Sequence, residues 1–169
     1  MSQKIFNVLF LCTGNSARSI MAEALLQRLG AGRFRAFSAG SIPRGKVNPF
    51  AIELLKANDY KTEAFRSKSW DEFSGDDAPI LDFVFTVCGR AANEVCPVWL
   101  GQPVSAHWGV EDPDQAELSD DEQRKLFQKA YRILEHRLKM FTHLALDNSD
   151  KSVLQKELEK IGTAYPEQA

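Results

Sequence analysis

The most constraining feature of this chain is a short loop that begins at Cys12 and ends at Arg18. An apolar run from Ile5 to Leu11 precedes the loop and predicts a β-strand, and the residues after Arg18 follow a helical pattern. A loop at a helix N-terminus presents backbone N–H groups and the positive end of the helix dipole, which favours binding of an oxyanion. The residues predicted to form this oxyanion site are Thr13, Gly14, Asn15, Ser16, Ala17, Arg18 and Ser19.

Cys12 lies beside the positive end of the helix dipole, which acts on its thiol. We expect the helix N-terminus and the Arg18 guanidinium to lower the pKa of Cys12 below the usual value of about 8.5, so that a thiolate forms. A cysteine at the end of a buried strand can also be a small core residue. The combination of Cys12 and Arg18 around small and hydroxyl-bearing residues favours the reactive interpretation, with Cys12 as the nucleophile.

Composition limits the ligands and the surroundings that suit this chain. A net charge of -2 gives no general basic surface for nucleic acid, so an anion has to be held locally. No apolar stretch approaches the roughly 20 residues that cross a bilayer, and we expect no membrane association. The 3 cysteines are an odd set, which predicts free thiols in a reducing compartment, the cytoplasm. The histidines and cysteines lack metal-ligand spacing, so no metal site is predicted.

Predicted strands and helices alternate along the chain. The predicted strands cover 5–11, 33–38, 81–87 and 103–108. The predicted helices cover the residues between Arg18 and Gly30, then 49–58, then 119–146, which opens with a Ser119–Glu122 capping box. This alternation predicts an α/β fold: a single open, mostly parallel four-stranded sheet flanked by helices on both faces. We expect one domain over 1–146 and a C-terminal extension over 147–169 that is weakly helical or partly disordered.

A second cysteine follows the third predicted strand. Cys88 comes after the apolar run 81–87, as Cys12 comes after the first strand. Ligands of parallel sheets bind at the carboxyl edge of the strands, so both thiols are predicted at the same edge. A buried core thiol is the alternative interpretation of Cys88.

Several motifs together resemble one known family. They are CTGNSARS at the loop with Met21-Ala22-Glu23 after it, the turn Ser38-Ala39-Gly40, the strand DFVFTVC and the segment HWGVEDP. Over roughly residues 4–146 the chain resembles the arsenate reductases built on the low-molecular-weight protein tyrosine phosphatase fold. The loop and the Asp-Pro pair are shared with the phosphatases, whereas the cysteine after the third strand points to reduction.

The resemblance implies a sequence of thiol steps. Cys12 attacks arsenate, or phosphate in a phosphatase, with Asp112 as the matching proton donor. Cys88 then attacks the sulfur of Cys12, arsenite departs, and a disulfide remains. The resemblance implies no tightly bound cofactor. It implies an external thiol reductant as partner, either thioredoxin or glutaredoxin with glutathione.

Two of these residues keep a second interpretation. Cys96 either carries the oxidation from Cys88 to thioredoxin, or is an incidental cysteine while glutaredoxin and glutathione resolve the intermediate. Asp112 precedes a proline, and Asp in that position commonly begins a turn. The alternative function is a tyrosine or small-molecule phosphatase that forms a phosphocysteine, for which Cys12, Arg18 and Asp112 suffice.

The resemblance has two further implications near the loop. The cation site of the family would map to Asn15, Glu23 and Ser38. Glu23 is otherwise a first-turn charge or a brace for the loop. Phosphatases of this fold usually have a tyrosine just after the Asp-Pro pair, whereas this chain has Asp114, a poor neighbour for an anionic phosphotyrosine.

Overall fold

The strands and helices alternate as the sequence predicts, in a computed structural model that describes residues 4–89, 99–146 and 150–166. The strands are β1 (Phe6–Leu11), β2 (Phe34–Ala39), β3 (Phe83–Thr86) and β4 (Val104–His107). The helices are α1 (Arg18–Leu29), α2 (Pro49–Ala57), α3 (Asp120–Thr142) and α4 (Lys151–Ile161), with a 3-10 helix at Trp70–Phe73. The capping box predicted at Ser119 and Glu122 is present at the start of α3.

The strands form one four-stranded sheet in the order β2-β1-β3-β4, and every pairing is parallel. The predicted α/β fold with one open, parallel four-stranded sheet is therefore confirmed. β1 lies between β2 and β3, and the register places Leu11 opposite Thr86. The residues that follow β1 and β3 consequently leave the sheet side by side, at its carboxyl edge.

The two faces of the sheet are covered differently. Val8, Phe10 and Phe85 lie on the face that packs against buried residues of all four α-helices. On the opposite face, Leu11 packs in a smaller cluster with Phe73 of the 3-10 helix. Among the described residues, the regular helices thus occupy one face, whereas the sequence predicted helices on both. The described cover of the second face consists of the 3-10 helix and the partly buried Trp99.

Helix α4 packs on the rest of the domain. Its apolar residues Leu154, Leu158 and Ile161 are buried, and it contacts both β4 and α3. The indole Nε1 of Trp108, which is completely buried, donates a hydrogen bond of 2.8 Å to the carbonyl oxygen of Leu158. The C-terminal segment therefore contacts the chain just after β4; its division from the rest at residue 146 stays a prediction.

Arg137 of α3 ties the same regions together from inside the protein. Its Nη1 donates to the carbonyl oxygens of Trp108 and Gly109 at 3.0 and 3.1 Å, and its Nε donates to that of Ala164 at 3.1 Å. Arg137 is completely buried. The segment after β4 is thereby attached to α3 and to the residues after α4. Across the described part of the chain, no helix has the length and apolar character that a membrane crossing requires.

Candidate active site

The loop from Cys12 to Arg18 turns its carbonyl groups away from the centre of the site. Three of its carbonyl oxygens accept backbone hydrogen bonds of 2.9 to 3.0 Å from the segment that follows β2. The donor and acceptor pairs are Ile42 to Thr13, Arg44 to Gly14, and Asn48 to Ser16. With the carbonyl groups fixed on the outside, the N–H side of the loop is left for a ligand.

Asn15 shapes the loop from behind. It is completely buried and has a left-handed backbone with φ of 45°, a conformation that asparagine tolerates better than most residues. Its Nδ2 donates to Ser19 Oγ at 2.8 Å and to Ser38 Oγ at 3.0 Å, and its Oδ1 accepts from the Lys68 N–H at 2.9 Å. The side chains of Asn15 and Ser19 therefore stabilise the loop.

The other predicted site residues line open space in front of the loop. A cavity of about 290 Å³ is lined by Cys12, Thr13, Gly14, Arg18, Ile42, Arg44, Cys88 and Asp112. A smaller pocket of about 30 Å³ beside it also has Ser16 and Ala17 in its walls. The structure thus brings Cys12, Arg18, Cys88 and Asp112 to one cavity, while Cys96 lies outside the described residues.

The Arg18 guanidinium is held by Val110 and Asp112, and its Nε–H group has no acceptor among the described residues. Its Nη1 donates to the carbonyl oxygen of Val110 at 2.8 Å, and its Nη2 lies 3.7 Å from Asp112 Oδ2. Its Nε is buried and has no hydrogen-bond partner among the described residues. A buried donor without an acceptor is costly, so this atom fits a site whose acceptor arrives with the ligand.

The two thiols are in direct contact. Cys12 and Cys88 are both buried thiols, and the Thr13 N–H donates to Cys88 Sγ at 3.4 Å. The hydrogen bond with Cys88 and then burial raise the pKa of the Cys12 thiol, against the opposing charge of Arg18 and a backbone hydrogen bond from Gly14. The expectation that the pKa of Cys12 is lowered is therefore wrong for this conformation, because the thiol contact favours the protonated form of Cys12.

Asp112 is positioned by the chain that extends β4. Backbone hydrogen bonds from Trp108 to Thr86 and from Val110 to Val87, at 2.7 and 3.0 Å, fix this segment along β3. The Asp112 Oδ1 accepts from the Asp114 N–H at 3.0 Å, the side-chain bond that an Asx turn requires. The carboxylate is 42% exposed and lines the cavity with Cys12. The turn-forming and the site-lining interpretations of Asp112 are therefore compatible.

Arg44 was not identified from the sequence. It lines both the cavity and the smaller pocket, and its guanidinium forms an ion pair with Asp114. Its side chain also packs near Gly14. The available signal was its place just after β2, at the same edge of the sheet as Cys12. Within the described part of the chain, no cluster of three or more His, Cys, Asp or Glu residues has metal-binding geometry.

Comparison with known proteins finds one family that matches most of the chain and several relatives that are named arsenate reductases. The family described as low molecular weight phosphotyrosine protein phosphatase matches residues 7–159. An arsenate reductase of Oceanobacillus iheyensis is 35% identical over 141 residues, which are 83% of this chain and 96% of that protein. A glutaredoxin arsenate reductase of a Synechocystis species is 35% identical over 107 residues, or 63% of this chain and 78% of that one. The solved thioredoxin-dependent arsenate reductase of Corynebacterium glutamicum has a TM-score of 0.60 and 26% identity, covering 83% of this chain and 62% of that chain.

The fold and the loop define an α/β domain of the phosphatase type, in which a cysteine and an arginine frame one cavity. The match to the family extends over nearly the whole sheet and all four α-helices. The chain belongs to the low molecular weight phosphotyrosine protein phosphatase family.

Proposed function

We propose that this protein reduces arsenate to arsenite, with Cys12 as nucleophile and Cys88 as the thiol that completes the reduction. The observation that carries the proposal is the contact of two thiols within one cavity framed by Arg18. A phosphatase needs the first thiol alone, whereas a two-electron reduction needs a second thiol within reach of the first. Relatives of similar length are named arsenate reductases, which supports this assignment.

In the proposed reaction, arsenate binds at the inner side of the loop and supplies the acceptor that Arg18 Nε lacks. The Cys12 thiolate attacks arsenic, a sulfur–arsenic bond forms, and a hydroxyl group of the arsenate leaves as water after taking a proton from Asp112. The loop N–H groups and Arg18 stabilise the negative charge on the remaining oxygens.

The second step is the reduction itself. The Cys88 thiolate attacks Cys12 Sγ, and a Cys12–Cys88 disulfide forms as the sulfur–arsenic bond breaks. The electron pair of that bond stays on arsenic, so that arsenic(V) becomes arsenic(III) and arsenite leaves. The Thr13 N–H, which already donates to Cys88 Sγ, positions the attacking sulfur at the loop beside Cys12.

A single turnover without external reductant tests this function. The reduced wild-type protein should release about one arsenite per chain, since one disulfide supplies two electrons. Peptide mapping should then find Cys12 joined to Cys88. Cys12→Ser should release none, because a serine hydroxyl lacks both the thiolate and the sulfur–arsenic bond. A wild-type protein that hydrolyses an aryl phosphate but releases no arsenite would support the phosphatase function in its place.

We propose an external thiol protein as the electron donor and a reducing cytoplasm as the setting that returns Cys12 and Cys88 to the reduced state. Relatives are named for glutaredoxin in one case and for thioredoxin in another. Cys96 is the residue that distinguishes these donors in our proposal. It passes the oxidation from Cys88 outward if the donor is thioredoxin, and it is dispensable if the donor is glutaredoxin with glutathione.

The variant Cys96→Ser separates the two donors. With thioredoxin and its reductase, we expect the variant to release arsenite once and then stop, because the disulfide is no longer carried outward. With glutaredoxin and glutathione, it should turn over at the wild-type rate. The measurement is arsenite formed per chain over time with each reducing system. Undiminished recycling by thioredoxin would remove Cys96 from the relay.

A further inference from the structure

A buried ion pair lies behind the loop, outside the cavity. The Lys68 Nζ is 3.8 Å from Glu23 Oε1, and the two side chains are only 9% and 10% exposed. Burial raises the pKa of Glu23, which the charge of Lys68 and a hydrogen bond from Ser38 oppose. The Lys68 Nζ also donates to the Arg66 carbonyl oxygen at 3.0 Å. Lone buried charges are strongly disfavoured in proteins, so the opposite charges of Glu23 and Lys68 stabilise each other.

The ion pair is connected to the loop by a chain of hydrogen bonds. The Ser38 Oγ donates to Glu23 Oε1, and the same Ser38 oxygen accepts from Asn15 Nδ2 at 3.0 Å. The backbone N–H of Lys68 donates to Asn15 Oδ1 at 2.9 Å. Lys68 therefore contacts Asn15 directly through its backbone and indirectly through Glu23 and Ser38. Both routes end at the residue whose left-handed backbone shapes the loop.

The residues present do not fit the cation site that the family resemblance implies at Asn15, Glu23 and Ser38. The Asn15 amide oxygen is turned toward the Lys68 N–H, and because a backbone N–H can only donate, the NH₂ group of Asn15 faces Ser38. Asn15 thus presents donors where a cation needs oxygen ligands. The Lys68 ammonium is already beside Glu23, and a metal cation there would repel it.

We propose that Lys68 is a positioning residue whose ammonium takes the place of a bound cation, so that the oxyanion loop is assembled without a monovalent metal ion. This inference rests on the oxyanion-binding role of the loop within the proposed function. In this inference, Lys68 neutralises Glu23. The neutralised Glu23 accepts the hydrogen bond of Ser38, and Ser38 in turn holds Asn15 in the conformation that shapes the oxyanion loop. Lys68 itself lines neither the cavity nor the smaller pocket.

The test measures phosphate affinity by calorimetry in potassium chloride and in choline chloride of equal ionic strength. For the wild-type protein we expect the two Kd values to agree within about twofold. Lys68→Met keeps the length of the side chain but removes its charge. In choline chloride we expect this variant to bind phosphate at least about tenfold more weakly. Most of the affinity should return in potassium chloride, because a potassium ion can occupy the place of the ammonium beside Glu23 and the Arg66 carbonyl oxygen, without a contact to Asn15. The matched control is Lys61→Met at an exposed lysine, which should behave as the wild type.

A merely structural lysine would not produce a potassium-dependent recovery. Two outcomes overturn the proposal: a wild-type affinity that needs potassium, or a Lys68→Met variant whose loss of affinity is the same in both salts. If Lys68→Met does not fold, the double variant Lys68→Met with Glu23→Gln removes both charges, and it should fold and bind phosphate equally well in the two salts. A potassium-dependent affinity of the double variant would also overturn the proposal. Because phosphate binding is measured without arsenite formation, these results are separate from those that test the reductase activity.

Discussion

Replacing Cys88 with alanine should abolish arsenite release in a single turnover and at the same time make Cys12 more reactive. The first effect follows because no second sulfur remains to break the sulfur–arsenic bond. The second follows because the hydrogen bond with Cys88 is the largest cause that raises the pKa of Cys12. Without this hydrogen bond, burial is the main remaining cause that raises the pKa of Cys12, and Arg18 and the loop lower it.

The pH dependence gives the sign of the second effect. Only the thiolate reacts with iodoacetamide, so the rate of Cys12 alkylation rises with pH up to the pKa of Cys12. A lower pKa in Cys88→Ala moves this rise to lower pH, and each unit of the shift increases the thiolate fraction at neutral pH by about tenfold. Alkylation rates measured over a range of pH, with mass spectrometry to assign the modified cysteine, provide the measurement.

The matched control is Cys88→Ser. Its hydroxyl can still hydrogen bond to Cys12 but cannot form a disulfide, so arsenite release should be lost while the alkylation profile moves less than in Cys88→Ala. Both variants should retain slow hydrolysis of an aryl phosphate, which needs no second thiol. A full yield of arsenite from Cys88→Ala would exclude Cys88 from the reaction. An unmoved alkylation profile would mean that the thiol contact does not set the pKa of Cys12.

A methyl group at Gly40 should disrupt the loop. Gly40 follows β2, and a Cβ atom there would lie 2.4 Å from the Thr13 carbonyl oxygen and 2.7 Å from that of Cys12. These are backbone atoms, which cannot move aside without displacing the loop. We expect Gly40→Ala to lower the free energy of unfolding by about 1–3 kcal/mol, as overpacking does elsewhere. We also expect it to weaken phosphate binding by at least about tenfold.

Gly75→Ala is the matched control for this substitution. Nothing lies within 4 Å of a Cβ atom built at Gly75, so the change in unfolding free energy should be within about 0.5 kcal/mol. Urea denaturation gives the stability of each variant, and calorimetry gives its phosphate affinity. Wild-type phosphate affinity in Gly40→Ala would contradict the close packing of Gly40 against the loop.

Local sequence signals predicted most of the fold. The strand at Phe6–Leu11 and the helix at Asp120–Thr142 are marked by apolar patterns and, for the helix, by a capping box that involves residues three positions apart. The uneven covering of the two faces was not predictable in the same way. It depends on the contact of Phe73 with the sheet, and Phe73 lies in a polar, turn-rich stretch with no periodic pattern.

In the candidate site, too, the sequence predicted the local features but not those that depend on contacts between distant parts of the chain. Cys12 and Arg18 belong to one loop, so their proximity followed from the sequence alone. The contact of Cys12 with Cys88 joins the ends of two strands that are neighbours in the sheet but far apart in sequence. This contact reverses the direction expected for the pKa of Cys12. Lys68 was also missed, because its neighbours in sequence suggest an ordinary polar turn, while its partner Glu23 comes from α1. Electrostatic effects of this kind are set by distances across the fold and not by spacing along the chain.

The buried guanidinium of Arg137 has a mechanical consequence for the far end of the chain. This rigid group donates hydrogen bonds to the carbonyl oxygens of both Gly109 and Ala164. A force applied to the C-terminal residues is therefore transmitted to the segment after β4 that carries Asp112. A shortened protein that stops at residue 146 would lack the Ala164 acceptor and the Leu158 carbonyl that receives the Trp108 indole. We therefore expect fusion partners or surface attachment at the C-terminus to affect the segment that carries Asp112, the proton donor of the proposed reaction.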